Sequence, residues 1–195
     1  MELKLKIVSF LSRNTGKTFT INEIAKFLHE YYSFVHRIMG KLIRERVVIK
    51  TKAGKSHLCS LDIENEKTTT LIQLSEIENR DEFYSKSREL KLILEDLVKS
   101  INLENVLTIA LFGSYAKGSQ TKESDIDIFI LAGRKFNIDK TAKELYAKYG
   151  KEMNALVMTP KEFKKEKGKP VIEEIIKDHY VLHGIESFVK MVFGK

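Results

Sequence analysis

Residues 105–132 read NVLTIALFGSYAKGSQTKESDIDIFILA, and this stretch constrains the fold more than any other. Two apolar, β-rich runs flank Gly113-Ser114, a ten-residue gap, and Asp125-x-Asp127. Residues two apart on a strand share a face. Asp125 and Asp127 therefore point the same way, roughly 6–7 Å apart along the chain. Phe129 and Leu131 continue that face inward, and Ile126, Ile128 and Ile130 bury the other. Two like charges at the edge of an apolar face repel each other, and a divalent cation between them removes the penalty. Hard oxygen ligands suit Mg²⁺. Gly113 lets a backbone approach a phosphate closely, and Ser114 can open a helix whose free N–H groups face an anion. A phosphate cradle beside a Mg²⁺ pair is a setting for nucleotidyl transfer.

Gly113-Ser114, ten residues, Asp125-x-Asp127 resembles the signature of the nucleotidyltransferase superfamily with a polymerase-beta-like palm, and within it the minimal nucleotidyltransferase branch. The match covers roughly residues 86–159. The resemblance implies that Gly113 and Ser114 bind the triphosphate, with Lys117 and Lys122 within reach of it. It implies that Asp125 and Asp127 bind Mg²⁺. The family adds a third carboxylate on a later strand. The candidate strand is KEMNALVMT, where Glu152, Asn154, Leu156 and Met158 share a face. Asn154 stands where an Asp is expected, and Glu152 is one step nearer the strand's start. An amide can ligate metal through oxygen but carries no charge, so the departure spares nucleotide binding more than catalysis. Minimal members pair with helical HEPN-type toxins as antitoxins, and some transfer AMP to a tyrosine of that partner. ATP is the expected substrate, and the resemblance leaves two hydroxyl acceptors open: a partner protein, or a small molecule as in aminoglycoside-modifying relatives.

The charge is unevenly placed. The net charge is +7. Residues 1–62 hold 12 Lys/Arg against 5 Asp/Glu, so the whole excess sits in the first third. A basic module joined to a neutral one points to a polyanion partner, usually nucleic acid. Thr20 and Glu23 form a capping-box pattern ahead of INEIAKFLHE. Ser33 is placed to cap FVHRIMGKLIRER, with apolar rows Phe34/Ile38/Leu42 and Val35/Met39/Ile43. VVIK and HLCSLDI then read as two short strands around a Gly turn. Three helices and a basic hairpin resemble a winged helix-turn-helix over residues 1–63. That resemblance implies double-stranded DNA as a partner. Ser33, His36, Arg37, Lys41 and Arg44 would face the major groove, and Lys50, Lys52 and Lys55 the flanking backbone. It also allows a homodimer.

Residues 64–104 read as a helical connector of two helices broken near Asn79–Asp81. The second carries the stripe Leu90, Ile93, Leu94, Leu97, Val98 and Ile101, expected to pack on the sheet. Residues 105–195 complete an α+β arrangement: the winged unit, the connector, and a nucleotidyltransferase palm with C-terminal helices. Pro170 is expected to open a helix running through VIEEIIKDHYVLHG, with His179 and His183 one turn apart in surface or packing roles.

Other classes are excluded. TGKT and AGKS end like a Walker loop, but Leu11 and Ile49 stand where it needs its first Gly. No apolar run approaches the ~18 residues of a membrane span. The single Cys59 cannot form an internal disulfide, and a cytoplasmic location is expected. A second functional reading stands beside the first: a DNA-binding regulator whose nucleotidyltransferase-like domain senses nucleotide with weak or no catalysis.

Overall fold

The computed structural model describes residues 1–194. The chain divides into two compact units, Met1–Glu78 and Asn79–Lys195.

In the first unit, helix α1 (Leu3–Arg13) buries Leu5, Ile7, Val8 and Leu11. Helix α2 (Ile21–Phe27) begins on the expected capping box. Thr20 accepts from the Glu23 N–H, and the Glu23 carboxylate accepts from the Thr20 N–H at 2.7 Å. Helix α3 (Tyr32–Arg44) buries Val35, Met39 and Leu42. It starts a residue before Ser33, and its N-cap, Tyr31, provides no side-chain cap. Strands β1 (Val48–Ala53) and β2 (Ser56–Leu61) form an antiparallel hairpin pairing Val48 with Leu61 and Ala53 with Ser56. Gly54, at φ +60°, makes the turn.

Helix α4 (Glu66–Lys86) runs unbroken through Asn79–Asp81, contrary to the sequence expectation. Those three polar residues each cost only tenths of a kcal/mol in a helix, and neither Gly nor Pro is present to stop it. The break falls instead at Ser87, whose hydroxyl accepts from the Leu90 N–H and caps helix α5 (Arg88–Ser100).

The second unit is built on a four-stranded sheet in the order β5-β4-β3-β6. Strands β3 (Val106–Phe112) and β4 (Ile126–Ala132) pair antiparallel, with helix α6 (Gly113–Lys117) between them in sequence. Helix α7 (Asp139–Tyr149) provides the crossover that parallel pairing of β4 with β5 (Met153–Met158) requires. Ile126, Ile128 and Ile130 join Leu90, Ile93, Leu94, Leu97 and Leu145 in one buried cluster, so the α5 stripe does pack on the sheet. Phe129 and Leu131 join the opposite cluster. That cluster draws Phe163 from helix α8 (Pro160–Glu166), Ile172, Ile175 and Ile176 from helix α9 (Pro170–Lys177), and Phe188 and Val192 from helix α10 (Ile185–Phe193).

The long helix expected after Pro170 is corrected. It ends at Lys177, and Tyr180–His183 forms strand β6, antiparallel to β3. A four-residue strand in which only Val181 and Leu182 are buried cannot be separated from a helix end by periodicity alone. His179 and His183 therefore lie outside any helix. His179 is buried with its ring centroid 4.4 Å from that of Phe188.

Candidate functional site

The β3–β4 pairing sets Phe112 opposite Asp127 and so brings Gly113 against the start of β4. Gly113 sits at φ +71°, a conformation that glycine adopts without penalty. A Cβ built on it would overlap the Asp127 carboxylate. The space freed by the missing side chain is thus used by Asp127 itself. Ser114 follows in the first turn of α6, where helix N–H groups lack intrahelical partners. Gly118, at φ +71°, closes the helix. The loop back to β4 is tied by the Thr121 N–H, which donates to Ser124 Oγ at 2.9 Å.

Parallel pairing sets Asn154 on β5 opposite Asp127. Its Nδ2 donates to Asp125 Oδ2 at 3.0 Å. The amide thereby fastens Asp125 from a position across the strands from Asp127. Burial pushes the Asp127 carboxyl above its ordinary pKa. Asp125 and Glu174 push the same way, while Asn154 and Lys117 oppose them. Glu152 is exposed at the start of β5, and its backbone carbonyl accepts from the Ile126 N–H at 2.9 Å.

The residues present fit a hard divalent cation. Two carboxylates and an amide oxygen lie together here, all of them hard oxygen donors. Mg²⁺ is held by one or two carboxylates together with waters and substrate phosphates. No cluster of three or more His, Cys, Asp or Glu arranged to hold a metal exists among the described residues. A site on these two aspartates accordingly relies on other oxygens for the remaining positions.

Of the two lysines between the motif halves, Lys117 is engaged. Its Nζ lies 2.7 Å from Glu174 Oε1 on α9, and this interaction raises its pKa. Nothing in the sequence pattern points to Glu174, because only the packing of α9 on the aspartate face brings it there. Lys122 is exposed on the loop, where its carbonyl accepts from Lys151 Nζ at 3.1 Å. Lys86, Tyr115, Lys117, Lys122, Lys151 and Tyr180 help line a cleft of about 730 Å³ beside α6. Neither aspartate lines it.

In the first unit, Ser33, His36, Arg37, Lys41 and Arg44 are all exposed on α3, as are Lys50 and Lys52 on β1 and Lys55 at the hairpin tip. Phe34 is not part of the buried row that its spacing suggested; it is 46% exposed. Tyr31 and Tyr32 are exposed beside it. The Arg37 guanidinium lies 5.6 Å from the Phe34 ring centroid. Apolar periodicity is a signal of burial and has no means of reporting an exposed aromatic.

The model of the nucleotidyltransferase domain matches residues 87–183. The putative protein adenylyltransferase MJ0604 of Methanocaldococcus jannaschii is 38% identical over 88 residues, which is 44% of this chain and 87% of that protein. The putative protein adenylyltransferase MJ1379 of the same organism is 56% identical over 43 residues, 22% of this chain and 37% of that one. Among solved structures, a toxin–antitoxin crystal structure with AMP-PNP is 23% identical at a TM-score of 0.40, covering 55% of this chain and 82% of its own. The domain match and the identity along most of MJ0604 agree with the motif geometry. The chain belongs to the nucleotidyltransferase family and is a nucleotidyltransferase.

Proposed function

We propose that this nucleotidyltransferase moves AMP from ATP to a hydroxyl of a partner protein, with Mg²⁺ held at Asp125 and Asp127. The observation that carries the reading is the Asp127 carboxylate seated against Gly113, with Asn154 fastening Asp125. This arrangement sets a paired-carboxylate site directly beside the Gly113-Ser114 turn. The likeness to a putative protein adenylyltransferase favours a protein acceptor. The family resemblance makes a HEPN-type toxin the partner to try.

The acceptor oxygen forms a bond to the α-phosphorus as the bond to the departing pyrophosphate breaks, and the hydroxyl proton leaves to base or water. A bound divalent ion supplies charge neutralisation for the α-phosphate and for pyrophosphate. Asp127 and Asp125 fix the position of that charge. Asn154 holds Asp125 by its N–H. The α6 turn and Lys117 face the phosphates. Asn154 leaves the site one negative charge short of a three-carboxylate arrangement, which favours nucleotide retention over fast turnover. The test is transfer of the α-phosphate label of ATP, but not the γ label, to a co-expressed partner protein. Loss of that transfer in Asp125→Ala and Asp127→Ala completes it.

A second activity rests on a separate observation. The exposed basic face of α3 and the lysines of the β1–β2 hairpin support reading the first unit as a winged helix that contacts duplex DNA. With Asn154 in place, a nucleotide-sensing DNA-binding regulator is the alternative to an active enzyme. A regulator of this kind and a self-regulating antitoxin would both bind duplex with a steep salt dependence. Only the antitoxin would label a partner.

A further inference from the structure

Lys117 is one of two lysines between the halves of the motif, and its ammonium is committed to Glu174 at 2.7 Å. Glu174 stands at the middle of α9, the helix whose Ile172, Ile175 and Ile176 are locked into the core under the aspartate face. Its position is therefore set by packing. The carboxylate is close enough to Asp127 to disfavour that group's charge, and Asp178, the C-cap of α9, adds a further negative field at Lys117. A phosphate chain arriving at Gly113-Ser114 consequently meets a lysine whose charge is already engaged.

Building on the nucleotide-site reading above, we propose that Glu174 gates the nucleotide site. It holds Lys117 when the site is free and competes with a polyphosphate for it. The pair is partly exposed, with side chains 42% and 34% accessible. Ion pairs exposed to this degree are weak, because solvent screens them. A ligand carrying several negative charges can displace Glu174, whereas a neutral nucleoside cannot. Selection for polyphosphate follows, because only a ligand that captures Lys117 recovers the cost of breaking the pair. Glu174 is thus a positioning residue acting through Lys117, with no contact of its own to the reacting atoms.

The experiment measures the Kd of ATP in EDTA, and separately of adenosine, for wild type, Glu174→Gln, Lys117→Met and the double variant, each checked for an unchanged melting profile. Removing the metal leaves only the competition for the lysine. Glu174→Gln is expected to tighten ATP roughly two- to fivefold. It should leave adenosine unchanged, and it should have less than a twofold effect in the Lys117→Met background. A merely structural role would shift adenosine and ATP together and would persist without Lys117. Unchanged or weakened ATP binding in Glu174→Gln overturns the gate. If wild type binds Mg²⁺·ATP but the Glu174 series shows no coupling to Lys117, the gate alone fails. If wild type binds ATP neither with nor without Mg²⁺, the nucleotide-site reading fails and the gate with it.

Discussion

Asp127 carries most of the site's tension. Burial and its carboxylate neighbours raise its pKa, so the folded chain holds that proton more tightly than the unfolded chain. Stability then falls as pH rises from the ordinary carboxylate range through the raised value, and the penalty is fully present above it. Asp127→Asn should accordingly melt higher than wild type at neutral pH without metal. The advantage should vanish at pH 3. Added Mg²⁺ should stabilise wild type and leave the variant unmoved, a comparison that scanning calorimetry makes directly. Gly113→Ala forces a Cβ onto the Asp127 carboxylate at a positive φ. It should cost more than about 1 kcal/mol of stability and abolish nucleotide binding. Asn154→Asp removes the amide donor to Asp125 and adds a third negative charge. It should lower stability without metal and raise turnover with it, as seen by denaturant titration and single-turnover labelling.

At the scale of elements, the strands flanking the motif were legible because alternation placed Ile126, Ile128 and Ile130 on one face and Asp127, Phe129 and Leu131 on the other. Those two faces belong to different clusters. The helix behind the sheet was legible from its Leu90–Ile101 stripe. Strand β6 was not, since four residues following a real helix offer no period of their own. The α4–α5 break was misplaced because composition marks Asn79–Asp81, whereas the stop depends on a single cap at Ser87. Ser87→Ala should therefore destabilise the second unit by about 1 kcal/mol, measurable by urea unfolding. Ile128, fully buried in the cluster that α5 and α7 share with the sheet, is a packing residue. Ile128→Ala should cost roughly 2–5 kcal/mol.

For the molecule as a whole, the uneven charge was the plainest statement in the sequence, since counting alone locates it. Glu174 shows the opposite limit: its role depends on how α9 packs on a sheet face, and no spacing in the chain encodes that pairing. The same limit applied to the exposed Tyr31, Tyr32 and Phe34. If the first unit grips duplex through phosphates, replacing Lys50, Lys52 and Lys55 together should weaken binding at every sequence. The slope of log K against log salt should then be shallower by about 0.9 for each phosphate that is no longer neutralised. Whether the paired aspartates and the Gly113-Ser114 turn form a working nucleotide site is decided by calorimetric titration of Mg²⁺·ATP into wild type and Asp127→Ala. Saturable binding by wild type is expected, with a loss of about tenfold or more in the variant while the fold stays intact. Equal binding by both proteins, or none by wild type, would contradict the assignment of the site.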